Sequence, residues 1–134
     1  MLRTVKYLQK GNALDVACGI GKLSRDLLSR IFKKVDMFEL DKDDFEEAKK
    51  LNHSSSNIGK IVNASMQEFT ADDKYNMIVL RWCSGYLDDE ELVHMLRIWR
   101  GWLDIDEEAK IDAIGSAIFI LDNVTEPGEK EYIC

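Results

Sequence analysis

A single proline, Pro127, stands in 134 residues, and no proline-rich linker, repeat or low-complexity segment divides the chain. Cysteine is scarce as well. Cys18, Cys83 and Cys134 are scattered, without the paired spacing of a zinc site or a disulfide framework. A disulfide-stapled scaffold is therefore excluded, and a reducing compartment, cytoplasmic or nuclear, is expected. Positive charge is in deficit, with 18 Lys and Arg against 25 Asp and Glu for a net charge of −7. That argues against nucleic acid as a partner, because phosphate binding needs a basic face. No apolar run approaches the length of a membrane span, so no membrane partner is expected. The first ten residues carry Arg3, Lys6 and Lys10 and no acid, a faint likeness to a transit peptide. A helix packing before the first strand is the preferred reading. With 46% hydrophobic residues, the chain reads as one globular domain, 1–134, large enough for a modest core.

Apolar runs and helical stripes alternate along it, which predicts an α/β fold with a mainly parallel sheet. Strands are expected near Ala13 to Cys18, Val35 to Leu40, Lys60 to Asn63, Tyr75 to Trp82 and Ala117 to Leu121. Between the first two lies a helix with Leu23, Leu27 and Ile31 on its apolar face. A helix from about Asp43 to Leu51 buries Phe45 and Ala48. Asp88 and Glu91 have capping-box spacing, and the helix they open aligns Leu92, Leu96, Trp99 and Leu103. A charged segment, Asp104 to Asp112, precedes the fifth strand. Five strands joined this way give the open order 3-2-1-4-5, with ligands at the carboxyl ends where the order reverses. Gly19, Gly21, Glu39, Gln67, Arg81, Trp82 and Asn123 all fall on that rim.

The stretch from Asn12 to Lys22 is the most specific signal. A strand runs into a glycine-bearing turn and a helix start, and Glu39 comes at the end of the second apolar run. Such a turn lets backbone approach a ligand and offers free N–H groups, and the acid can take both hydroxyls of a ribose. A dinucleotide fingerprint, Gly-x-Gly-x-x-Gly, fails at Ala17 and Lys22, which disfavours a nicotinamide enzyme. Acid-x-Gly-x-Gly-x-Gly, the turn of S-adenosylmethionine enzymes, is met by Asp15, Gly19 and Gly21 and missed at Ala17. An ordinary strand-to-helix turn can also carry two glycines; Asp15 before it and Glu39 after it favour the ligand site.

On these residues the chain resembles class I S-adenosylmethionine-dependent methyltransferases. More narrowly, it is similar to the alpha-N-terminal protein methyltransferases, which act on Xaa-Pro-Lys amino termini. The likeness is carried by Ala13-Leu14-Asp15, Gly19-Ile20-Gly21, Val35-Asp36-Met37, Gln67 with Phe69, Trp82 with Gly85, Leu87 with Asp89, and Asp122-Asn123. It implies a Rossmann-like core lacking the family's last two strands, with S-adenosyl-L-methionine as cofactor. Asp15 and the turn from Ala17 through Gly19 and Gly21 to Lys22 would hold its methionine end, Glu39 its ribose, and Met66 and Gln67 would lie beside adenine. Arg81 stands where the family has a cofactor-facing glutamine. Trp82, Tyr86 and Asn123 match positions that shape the channel for a protein amino terminus, which the acidic balance suggests is basic. Tyr86, in place of a histidine, is the candidate catalytic residue, and no metal is implied.

The likeness has departures. Ala17 replaces a glycine, Lys22 an arginine and Arg81 a neutral residue near a sulfonium, and the family's later acids would fall at or beyond Tyr132 to Cys134. Two functions therefore stand. The chain is either a methyltransferase for protein amino termini or a lapsed relative serving as a binding or scaffold subunit. The apolar strand Ala117 to Leu121 offers an edge for a homo- or hetero-oligomer. His53 and His94 lack ligand-spaced partners and read as surface residues; Trp99 on its apolar stripe reads as core.

Overall fold

The computed structural model describes residues 9–83, 86–105 and 115–121. Within them lie strands β1 (Asn12–Val16), β2 (Lys34–Glu39), β3 (Ile58–Asn63), β4 (Met77–Arg81) and β5 (Ala117–Leu121). All pair in parallel, in the order β3-β2-β1-β4-β5. Parallel neighbours need crossovers, and these cover both faces of the sheet. The crossovers hold α1 (residues 22–31), α2 (Lys42–Asn52) and α3 (Asp89–Trp102).

The pleat sorts the core. Leu14, Val16, Ile78 and Leu80 point to the side where Met95 and Trp99 of α3 pack, together with Phe38, Phe69 and Tyr75. Their neighbours Ala13, Met77 and Val79 point to the other side, against Leu28, Phe32 and Val35. Trp99 is fully buried, as its place on the stripe implies. The capping box of α3 is present: Asp88 accepts the Glu91 N–H at 2.8 Å, and Glu91 accepts the Asp88 N–H at 3.0 Å.

The α1 stripe differs from the one expected. Leu27 is 43% exposed, and Leu28 is buried in its place. The reason is a π-helical turn over Ser24–Leu28, one residue wider than an α-turn, which rotates the residues after it about the helix axis. Ser24 is drawn inward because its hydroxyl donates to buried Asp15 at 2.7 Å. Phe45, expected in the core, is only half-buried, with Lys49 Nζ 5.0 Å from its ring centroid. β4 begins two residues later than its apolar run, because Tyr75 pairs with Leu103 in an isolated bridge instead.

Polar bonds knit the amino ends of the strands. Asn76 Oδ1 accepts the Asn12 N–H at 3.2 Å, and Asn12 Nδ2 donates to Lys74 O at 3.2 Å. Asn57 Nδ2 reaches Ser29 O and Phe32 O. Nearby, buried Asp36 accepts from Tyr75 Oη at 2.9 Å and from Lys60 N at 2.7 Å, with Lys34 Nζ at 3.4 Å. A buried carboxylate with so many donors is satisfied rather than costly. The carboxyl ends are also linked, with Asn63 Nδ2 donating to Glu39 O and Leu40 O at 2.9 Å, but they open onto a cavity.

Candidate active site at the carboxyl ends of the strands

β1 ends in the turn that the glycine pattern marks. Gly19 and Gly21 have φ of 56° and 75°, and Ala17 has φ of 52°. Ala17 thus holds a left-handed conformation in a residue with a Cβ, at a cost of roughly 1–2 kcal/mol. A Cβ on Gly19 would meet nothing within 4 Å, whereas one on Gly21 would lie 2.7 Å from Asn52 Nδ2. The two glycines therefore do different work: Gly19 keeps backbone open, and Gly21 lets the turn settle onto α2.

Glu39, the last residue of β2, reaches across to this turn. Its Oε2 accepts the Gly19 N–H at 2.8 Å, and its Oε1 accepts the Asp41 N–H at 2.9 Å. Asp41 in turn caps α2 by accepting from Asp43 N and Asp44 N, each at 2.9 Å. Asp41 and Asp44 are thus part of the rim. Each carboxylate oxygen of Glu39 still has acceptor capacity for a ligand hydroxyl.

Turn and carboxylate face one cavity of about 790 Å³, within the range of cofactor and small-molecule sites. Asp15, Ala17, Cys18 and Gly19 line it from β1 and its turn; Phe38, Glu39, Leu40, Asp41 and Asp44 from β2 and the start of α2; Ala64 and Met66 from beyond β3; Arg81, Trp82, Cys83 and Tyr86 from the end of β4 and beyond. Leu40, Trp82 and Tyr86 are 65%, 51% and 62% exposed, so the mouth is apolar, while the buried carboxyl of Asp15 lies at the floor. Trp82 leaves β4 with φ of 59°, and its N–H donates to Leu121 O at 2.8 Å. The residues present suit an adenosine-bearing ligand, with Leu40, Ala64 and Met66 for a flat base, Glu39 for a diol and open backbone at Gly19.

Two floor groups titrate abnormally. Burial pushes Asp15 up to about 6, against the hydrogen bond from Ser24 and the field of Arg81, while Glu39 adds to the rise. Burial also drives the Cys18 thiol far above its usual range, with Asp15 and Glu39 adding to the shift, so Cys18 is no thiolate nucleophile. A pKa raised in the folded state means that the fold binds the Asp15 proton more tightly than the unfolded chain does. The Asp15 contribution to stability is then fully present below about pH 4 and is lost as pH rises through about 6, a change of at most about 3 kcal/mol. Urea denaturation of the wild type and Asp15→Asn between pH 4 and 7 should show the variant gaining relative stability across that window. A difference that does not move with pH would refute the assignment.

A family model described as AdoMet-dependent proline di-methyltransferase matches residues 2–131. The chain belongs to this family. Among similar proteins, N-terminal Xaa-Pro-Lys N-methyltransferase 1-B of Xenopus laevis is 32% identical over 133 residues, covering 92% of this chain and 55% of the frog protein. Human N-terminal Xaa-Pro-Lys N-methyltransferase 1 is 33% identical over 93 residues, covering 68% of this chain and 42% of the human protein. The solved structure of a SAM-dependent methyltransferase from Leishmania major superposes with a TM-score of 0.71 at 28% identity, covering 84% of this chain and 42% of that one. The chain spans about half the length, or less, of the curated relatives it matches.

In this member of the methyltransferase family, the cavity brings together Asp15, Ala17, Gly19, Glu39, Met66, Arg81, Trp82 and Tyr86 of the residues singled out from the sequence. It does not bring in Lys22 or Gln67, which are exposed and off the lining, nor Gly21, which is buried beneath the turn. Asn123, Asp122 and Gly85 lie outside the described residues, as do residues 1–8 and most of the charged segment before β5. Sequence reasoning passed over Leu40, Asp44 and Ala64. The signal for Leu40 and Asp44 was present, since both sit within a few residues of Glu39. Among the described residues no group of three or more His, Cys, Asp or Glu side chains is placed to hold a metal, and no helix is long and apolar enough to cross a membrane.

Proposed function

We propose that this chain is a methyltransferase-like domain that binds S-adenosyl-L-methionine and methylates the α-amino terminus of a protein, of the basic Xaa-Pro-Lys kind. The observation that carries this reading is the cavity itself. One wall holds the Gly19 turn and Glu39, and the opposite wall holds the exposed rings of Trp82 and Tyr86. When bound, the cofactor supplies a methyl on a sulfonium, which an amine lone pair takes as the thioether leaves. The chain's own residues have the tasks of alignment and charge. Trp82 and Tyr86 flank the entry, and the carboxylates of Asp15, Glu39, Asp41 and Asp44 favour a cationic visitor. The α-amino group has an ordinary pKa of roughly 7.7–8.0, so part of it is neutral at physiological pH without a strong base. Tyr86 would orient it by hydrogen bond. Holding both partners in line accounts for most of what such a site must do.

A second reading, a lapsed relative that binds a partner without turnover, draws support from Ala17. Its methyl group stands where a glycine would give closer approach. It also draws support from β5, which among the described residues pairs only with β4 and could pair with a second chain. Calorimetry with S-adenosylhomocysteine, then a methyl-transfer assay on an Xaa-Pro-Lys peptide, separates the two. Micromolar binding with turnover is the expected result. No binding, in a chain that sediments as an oligomer, would replace the first reading with the second.

A further inference from the structure

The cavity carries its charge unevenly. Among the described residues that line it, four are carboxylates and Arg81 is the single cation. Arg81 ends β4, one residue beyond the last β1–β4 pair of Val16 with Leu80, which sets it beside Ala17 at the start of the turn. Its guanidinium lies over the ring of Trp82, 4.6 Å from the centroid, a cation–π contact. None of the ion pairs among the described residues includes it, so neither Asp15 nor Glu39 lies within 4.0 Å. No ion pair with either acid therefore accounts for this residue. A cation–π contact uses the charge of a guanidinium and does not use up its five N–H donors, which can serve an anion.

Lys22 comes directly after the glycine turn and was the sequence's candidate for a ligand carboxylate, yet it is exposed and off the lining. An amino-acid end carries an ammonium and a carboxylate. The floor offers Asp15 and Arg81, opposite charges near one turn. We propose that Arg81, rather than Lys22, receives the carboxylate of the ligand's amino-acid end, with the Trp82 ring holding the guanidinium over the cavity. This rests on the cofactor reading above. It also explains how a cation can stand on the floor of a site for a sulfonium, because the carboxylate neutralises it.

The test is calorimetric titration with two ligands that share adenosine and a thioether. S-adenosylhomocysteine has the amino-acid end, and 5′-methylthioadenosine lacks it. In the wild type S-adenosylhomocysteine binds more tightly. Arg81→Ala weakens it about 10–100-fold, as loss of a charged two-pronged hydrogen bond implies, and changes methylthioadenosine less than about 2-fold. Arg81→Gln keeps the bulk and shows the same selective loss, which covers the case in which the alanine variant fails to fold. Lys22→Ala changes neither ligand appreciably. The proposal is overturned if Lys22→Ala shows the selective loss, if the Arg81 variants weaken both ligands equally, or if they weaken neither. A wild type that binds both ligands equally removes this proposal alone; one that binds neither removes the cofactor reading with it.

Discussion

Glu39→Ala is expected to weaken S-adenosylhomocysteine at least about 100-fold, the largest binding effect of any single change in this chain. A carboxylate accepting two hydroxyls forms two charge-assisted hydrogen bonds, each worth roughly 1.5–3 kcal/mol. Removing it also frees the Gly19 N–H and the Asp41 N–H, which Glu39 now holds at 2.8 and 2.9 Å, so the turn loses a tether as well as the ligand its partner. Glu39→Gln separates these parts. The amide keeps an acceptor for one of the two N–H groups and turns its NH₂ toward the other, so it should restore part of the thermal stability and little of the affinity. Calorimetry alongside thermal melts reads both. Full affinity in the alanine variant would mean that the cavity does not receive a ribose.

Gly21→Ala is expected to destabilise the fold by roughly 2–5 kcal/mol, summing a left-handed Cβ with overpacking of a closed site. The added carbon would lie 2.7 Å from Asn52 Nδ2 and 3.1 Å from Met37 Sδ. Asn52 cannot swing aside freely, because its amide donates to Ala48 O at 2.7 Å inside the core. Gly19→Ala is the matched control. Its φ is also positive, but the space is open, so only the conformational cost of roughly 1–2 kcal/mol remains. Urea denaturation of the pair measures the difference. Equal losses would show that the seating of the turn on α2 is not what Gly21 provides.

Much of this fold was legible because its signals are local. The strand order came from five apolar runs separated by crossovers, and the α3 start from the Asp88–Glu91 spacing. The Glu39 position came from its place at the end of the second run. The features that escaped the sequence depend on contacts between distant segments. The π-turn of α1 arises because Ser24 must meet Asp15, and no periodicity within the helix announces that. Lys22 and Gln67 stand at the right places along the chain but face outward, since spacing fixes a position and not the direction of a side chain. The setting of Arg81 could not be read for the same reason. Its cation–π contact with Trp82 accompanies a backbone turn at φ 59° that a tryptophan does not advertise.

The asparagines at the amino ends of the strands, with Asp36 and Tyr75 beside them, have a further consequence. The buried polar fastening of Asp36 and Tyr75 lies away from the end of the sheet where the cavity opens. Side chains such as Arg81 and Tyr86 can be exchanged without loosening that anchorage, so chemistry can drift while architecture stays. An ancestral shape can thus outlast any particular substrate preference.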